Sequence, residues 1–339
     1  MKKSVFIRKF GGPEVFEVRE EPKRDMGDFE VRIQVSYAGV NFADIMMRMG
    51  LYPEAPKPPF VPGYEISGVV SAIGAQVTRV KTGDRVLAGC RFGGYTTQID
   101  LPESSVYLAP AHLSDAEAAS IPVNFMTAWI ALEELARVRK GDRVLIQGAA
   151  GGVGLAAIQI AKWAGAEVVG TIGSAQKTAV IQEFGASRAI LNADWENGSD
   201  SEFGKFDIIL DPVGGASLKR SYRRLDSLGR LVSFGLSSAM SQKKSIIKVL
   251  SALAKTPLYT PYGLGNENKG IFGVNLLTMF TPEHEKKLEV IMHEVLRHFQ
   301  NRVFRAHVGR VFSLTDAGAA QGYLQSRAGI GKVVLDCRA

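Results

Sequence analysis

Cysteine is almost missing. A chain of 339 residues carries only Cys90 and Cys337. They form no Cys-x-x-Cys pair and no set of four, so a disulfide scaffold and a structural zinc site are both disfavoured. That usage fits a reducing compartment, and a cytoplasmic location is expected. No stretch approaches the ~18 apolar residues of a membrane span. The opening "MKKSVFIRKF" places only three apolar residues, Val5, Phe6 and Ile7, between its lysines and Arg8, too few for a signal-peptide core. A soluble protein is expected.

Several chemical signatures are missing too. The histidines are His112, His284, His293, His298 and His307. None forms a His-Glu-x-x-His pair, and core or surface packing explains them better than metal binding. No Gly-x-Ser-x-Gly elbow points to a hydrolase. The net charge of +7 comes without a nucleic-acid motif. It reads as a solvated basic surface or as attraction to an anionic ligand.

What is present is a folded α/β chain, long enough for two domains at roughly 100–200 residues each and for a core without disulfides. Residues 1–120 read as short strands punctuated by Gly and Pro, among them "FEVRIQVSYAGV", "ISGVVSAIG" and "GDRVLAG", which suggests a barrel or sandwich. From Pro122 the style changes to alternating strands and helices: "RVLIQG", "GLAAIQIAKWAG", "EVVGT", "AQKTAVIQEFG", "KFDIILD", "GASLKRSYRRLDSLG", "RLVSFG" and "GIFGVNL". This rhythm predicts a parallel sheet covered by helices. "TPEHEKKLEVIMHEVLRHFQN" predicts a long amphipathic helix, with Thr281 as N-cap and Pro282 at its first position. The tail resembles the first region and is expected to return to it. The expected division is residues 1–122 with 303–339 as one domain and 123–302 as the other.

The stretch "GAAGGVG" follows a strand and opens a helix, the context of a dinucleotide-binding loop. Ala149 stands where the first glycine of Gly-x-Gly-x-x-Gly is usual. Gly151 lets the backbone approach a diphosphate, and Gly154 lets the helix pack on its strand. The amides around Gly152 and Val153 would face the phosphate oxygens. NAD-binding loops place an acid after the next strand for the ribose 2′-hydroxyl. Residues 168–182, "VVGTIGSAQKTAVIQ", hold no acid. They hold Gly173, Ser174 and Lys177, a hydroxyl and an ammonium suited to a 2′-phosphate. NADPH is therefore the expected cofactor, with Asn192 as a third contact; the bland alternative makes Lys177 an ordinary helix-surface lysine. Gly215, Phe234, Gly235, Phe272, Gly273, Val274 and Asn275 sit at or after strand ends, where such sheets bind ligands.

The motifs "GGPEV", "AGVNFADIMMRMGLYP", "PFVPGYEISGVV", "GDRV", "NFMTAW", "GAAGGVG", "DPVGG" and "GKVVL" together resemble the medium-chain dehydrogenase/reductase superfamily, in its zinc-free quinone oxidoreductase branch. "NFADIMMRMGLY", "VNFMTAW", "DPVGG" and the insert "FGLSSAMSQKKSIIKVLSALAKTPLY" resemble the vesicle amine transport protein-like branch. The resemblance implies a GroES-like β-barrel domain built from both chain ends, an inserted Rossmann domain with a doubly wound parallel sheet, and NADPH held in the interdomain cleft.

Zinc-dependent relatives carry Cys where this chain has Asn41 and His where it has Tyr64, and neither residue here is a good zinc ligand. By the matching motifs Asn41 lies near the nicotinamide ribose or substrate oxygen, Met46 and Thr127 join the cofactor site, and Thr127 approaches the nicotinamide amide. Asp44 orients Asn41 or Arg48, or forms a structural ion pair with Arg48. Tyr52 and Tyr64 either serve the chemistry or pack the cleft.

Metal-free hydride transfer from NADPH to a quinone is the leading expectation. An alkenal or enone reductase and a lipid- or vesicle-associated nucleotide binder are the alternatives. The 240–262 insert is read as a lid or packed helix, or as a lipid-contacting segment. A homodimer joined through "IFGVNL" is implied by resemblance. Replacing Lys177 with Glu is predicted to weaken NADPH binding by about 10- to 100-fold and NADH far less. Titration of both coenzymes checks this; equal loss rejects the assigned role.

Overall fold

The computed structural model describes residues 1–237 and 254–338. The 240–262 insert therefore falls largely outside the described residues. The chain divides into two compact units, 1–126 with 276–339 and 127–275.

The first unit opens with an antiparallel pair, β1 (Lys2–Ile7) and β2 (Phe16–Glu21). Strands β3 (Glu30–Val40), β4 (Glu65–Ile73), β5 (Arg85–Gly89), β6 (Gln98–Pro102) and β7 (Val106–Leu108) follow. Helices α1 (Phe42–Met49), α2 (Asp115–Ala118) and α3 (Pro122–Trp129) sit among and after them, and α3 continues as a π-helical turn over Ile130–Leu135. Alternation in β3 puts Val31, Ile33 and Val35 fully inside, as a strand with one buried face requires.

The second unit repeats strand and helix. Its strands are β8 (Arg143–Ile146), β9 (Glu167–Ile172), β10 (Arg188–Leu191), β11 (Phe206–Asp211), β12 (Leu225–Ser233) and β13 (Gly270–Gly273). Its helices are α4 (Gly152–Trp163), α5 (Thr178–Glu183), α6 (Asn192–Asn197), α7 (Asp200–Phe203), α8 (Ala216–Arg223) and α9 (Pro261–Glu267). The sheet order is β10-β9-β8-β11-β12-β13, parallel throughout. This is the doubly wound Rossmann order, reversing direction between β8 and β11.

The chain then returns to the first unit through α10 (Glu285–Gln300), β14 (Val308–Ser313), α11 (Ala317–Ser326) and β15 (Lys332–Asp336). Strand β15 pairs antiparallel with β3 and parallel with β14, which completes a seven-stranded sheet from both ends of the sequence.

Three sequence expectations differ from the structure. The second unit ends at residue 275, not 302, because α10 packs on the first unit. Phe299 lies 4.7 Å from Phe125, ring to ring, His293 stacks edge-on to Tyr107, and Glu289 binds Arg79 at 2.7 Å. The stretch "GASLKRSYRRLDSLG" is helical only to Arg223. Leu225 already pairs with Phe206, and a register shift before Arg230 lets the intervening residues bulge. Thr281 and Pro282 begin a 3-10 turn, Pro282–His284, that precedes α10 rather than α10 itself.

The turn before α4 packs on β9 through a matched pair of small residues, Ala149 and Gly170. A Cβ on Gly170 would stand 2.6 Å from the Ala149 methyl and 2.9 Å from Ile181 Cδ1. Bare backbone in β9 thus accommodates the methyl that Ala149 brings in place of glycine. Gly170→Ala is expected to destabilise the protein by about 1–3 kcal/mol through overpacking. Adding Ala149→Gly should recover part of that loss, since contacting sites are coupled. Denaturant midpoints of the two single variants and the double variant measure this.

Candidate functional site

In the second unit the turn after β8 is held to the neighbouring strand. The Gly148 amide donates to Thr171 Oγ1 at 3.3 Å, and the Ala149 amide to the Thr171 carbonyl at 3.0 Å. Gly148 takes a left-handed φ of 66°, which favours glycine. A Cβ on Gly154 would lie 2.5 Å from the Gly148 carbonyl, so only glycine lets α4 start this close to the turn. The Gly151 amide is spent on the Gly148 carbonyl at 2.9 Å, and the first helical bond runs from Leu155 to Gly151. The amides of Gly152, Val153 and Gly154 therefore lie outside the helix's own ladder, as at any helix start. With the helix dipole they make an anion-binding end.

Gly173 and Ser174 directly follow β9, and Asn192 directly follows β10. These strands pair through Ile172 and Leu191. The position a Cβ would take on Gly173 is 3.8 Å from Asn192 Nδ2, so the two strand ends touch. Lys177 closes the 3-10 turn that Ser174 caps. It is half-buried, and burial holds its ammonium pKa below the usual lysine value.

Gly215, Phe234, Gly235, Phe272, Gly273, Val274 and Asn275 lie at or beyond the carboxyl ends of β11, β12 and β13. Asp211 organises this edge. It is fully buried and accepts from the Val213 and Gly214 amides, Gln147 Nε2, Ser217 Oγ and Ser221 Oγ at 2.8–3.0 Å. Gly214 and Gly215 both adopt positive φ, the turn that Asp211 fastens. Thr127 lies buried on α3.

In the first unit a second cluster surrounds the start of α1. Asn41 precedes the helix, and its amide donates to Asp44 Oδ2 at 2.8 Å. Tyr95 donates to the same oxygen at 3.1 Å. The Asn41 side chain donates to Glu65 Oε1 at 3.1 Å and accepts from Lys332 Nζ at 2.6 Å. Lys332 also forms an ion pair with Glu65, whose other oxygen accepts from the Val123 amide at 2.7 Å. Met46 and Tyr52 are half-buried along and after α1.

Tyr64 is only 4% exposed. Its ring packs in a cluster with Ile7, Met47, Phe60 and Leu277. Burial pushes its hydroxyl pKa well above the usual range, and Asp44 and Tyr52 push the same way. A packing role suits it better than proton transfer. Asp44 and Arg48 do not pair. Asp44 Oδ1 and the Arg48 Nε and Nη1 atoms find no hydrogen-bond partner among the described residues. Asp44 serves Asn41 instead.

Sequence reasoning overlooked Glu65, Lys332, Tyr95 and Asp211. The available signals were charged residues in apolar strands: "GYEISG", "GKVVLD" and "IILDPVGG".

Comparison with known proteins fits this geometry. Residues 27–111 match the alcohol dehydrogenase GroES-like domain model, and residues 152–267 match the zinc-binding dehydrogenase model. The chain is 31% identical over 330 residues to quinone oxidoreductase-like protein 2 of Rattus norvegicus, covering 95% of this chain and 89% of that one. The protein is a medium-chain dehydrogenase/reductase. Within that superfamily it belongs with the zinc-free quinone oxidoreductase-like members. It is 33% identical over 311 residues to the synaptic vesicle membrane protein VAT-1 homolog of Danio rerio, covering 90% of this chain and 64% of that relative's length. The crystal structure of Escherichia coli quinone oxidoreductase complexed with NADPH superposes with a TM-score of 0.84 at 28% identity, covering 98% of this chain and 99% of that one.

The side chains around Asn41 do not suit a zinc ion. Among the described residues no group of three His, Cys, Asp or Glu could hold a metal ion. The Glu65 carboxylate is already engaged by Lys332, Asn41 and Val123. Also among the described residues, no helix is long and apolar enough to cross a membrane.

Burial pushes the Asp44 carboxyl up from 3.8 to about 7, against the pull of the Asn41 amide, Tyr95 and Lys332; Glu65 pushes with burial. Between those values the native protein keeps a proton that the unfolded chain has released. Stability from this group is therefore greatest at the acid end and falls as pH rises through that window. Asp44→Asn is expected to flatten this part of the profile. Urea midpoints measured across the window check it, and an unchanged slope removes Asp44 as the cause.

Proposed function

We propose that this protein is an NADPH-dependent quinone reductase that transfers hydride without a metal. The observation that carries the reading is the second unit's pair of anion-receiving ends. One is the amide-lined turn before α4, suited to a diphosphate. The other is the acid-free end of β9, where Ser174, Lys177 and Asn192 suit a 2′-phosphate. The named relatives and the NADPH complex of the Escherichia coli enzyme support it.

When bound, NADPH supplies a hydride, two electrons with one proton. A quinone that accepts it needs one further proton to become the hydroquinone, and water can provide that. Gly152, Val153 and Gly154 hold the diphosphate by backbone amides, and the glycine at 154 keeps the helix end within reach. Ser174, Lys177 and Asn192 select the phosphorylated ribose. Gly215, Phe234, Gly235 and Phe272 to Asn275 form the remaining wall at the strand ends. In the first unit Asn41 is the group for a ribose or substrate oxygen, with Met46 and Tyr52 along and after α1; in the second unit Thr127 serves the nicotinamide amide. Asp44 sets the backbone from which Asn41 projects. Pairing of two copies across the edge strand β13 belongs to the same reading.

The test is NADPH oxidation by the purified protein across a panel of quinones, with the product identified. Quinone-dependent turnover that prefers NADPH to NADH is expected. Tight NADPH binding without turnover by any quinone would overturn the quinone reductase reading and leave an enone reductase or a nucleotide-binding protein.

A further inference from the structure

The first unit buries an ion pair that the proposed chemistry does not use directly. Lys332 is 3% exposed and Glu65 0%. Between them lies the Asn41 carboxamide, 9% exposed. An ammonium has only donors, and a carboxylate only acceptors. The contact at 2.6 Å from Lys332 Nζ must therefore end on the amide oxygen. The contact at 3.1 Å to Glu65 Oε1 must begin at the amide nitrogen. The carboxamide cannot turn over without placing N–H against an ammonium and oxygen against a carboxylate. Its oxygen is turned to the ammonium and one N–H is given to Glu65, which leaves its second N–H as the donor for a ligand.

We infer that Lys332 is a positioning residue: with Glu65 it fixes Asn41 as a hydrogen-bond donor, so that Asn41 recognises an acceptor oxygen. This rests on the quinone reductase reading only for which oxygen is recognised. The fold is shaped for the clamp. A Cβ on Gly39 would stand 2.6 Å from Glu65 Cγ and 2.7 Å from its Cδ, so β3 leaves room for that side chain. Val123, at the start of α3, donates its amide to the second Glu65 oxygen. Three separate segments thus meet on one carboxylate, and their contacts serve to orient one amide.

The experiment has two arms. In the first, nitrogen-15-labelled protein without ligand is followed by NMR. The Asn41 side-chain protons in the native protein are expected to exchange with solvent at least about tenfold more slowly than those of exposed Asn197 and Asn301, the value of about one hydrogen bond. Exchange as fast as at those positions overturns the clamp, and no variant is needed to see it. In the second arm, the double variant Lys332→Met with Glu65→Gln avoids stranding a buried charge, and Lys332→Arg keeps the donor. The double variant is expected to lose about tenfold in kcat/KM with its circular dichroism preserved, while Lys332→Arg keeps most of it. Unchanged kcat/KM in the folded double variant, or equal losses in both, overturns the positioning role. If the native protein reduces no quinone at all, the functional reading fails while the exchange measurement still judges the clamp.

Discussion

A carboxylate with no access to water constrains the whole first unit. Burying a charge costs several kcal/mol unless partners offset it. Glu65 meets that requirement with an ammonium, a carboxamide and a helix amide. Those partners come from the last strand, from the residue before α1 and from the start of α3. The arrangement of the unit is therefore bound to the neutralisation of one side chain. Its neighbour Asp44 is satisfied differently, by holding a proton near neutrality.

The second unit is governed by backbone rather than by charge. Its sheet reverses direction between β8 and β11, and loops at that reversal splay apart to leave a crevice. The turn after β8 fills one side of it with amides. Asp211 fastens the turn after β11 on the other. Small residues matter at each step because carbonyls and methyls approach closely: Gly154 against the Gly148 carbonyl, Gly170 against Ala149, and Gly235 against the Pro212 carbonyl at 2.6 Å from where a Cβ would sit.

Much of this was legible from residue order. The alternation of strand and helix after Pro122, the glycine turn and the missing acid after β9 are local patterns, and local patterns survive in a sequence. The return of the tail to the first unit was legible from its style. The position of α10 was not, because one amphipathic face packs equally well on either unit until partners such as Phe125 and Tyr107 are known. The Lys332–Asn41–Glu65 contacts were not legible either. They join residues far apart in the chain, and pairing of β3 with both β4 and β15 brings them together. The supposed Asp44–Arg48 pair failed for a related reason. Helical spacing places the two on neighbouring turns, but the carboxyl presents Oδ2 to Tyr95 and the Asn41 amide, and its Oδ1 and the Arg48 Nε and Nη1 atoms do not meet.

The closing strand also has a consequence for biosynthesis. A ribosome delivers Asn41 and Glu65 well before Lys332, with all of the second unit made in between. Until β15 emerges, β3 has an unsatisfied edge and Glu65 has no cation. The nascent amino-terminal segment must wait in an incomplete state while the inserted unit, whose strands are contiguous, is free to fold ahead of it. Maturation of the first unit is thus timed by the emergence of β15, after the whole of the second unit.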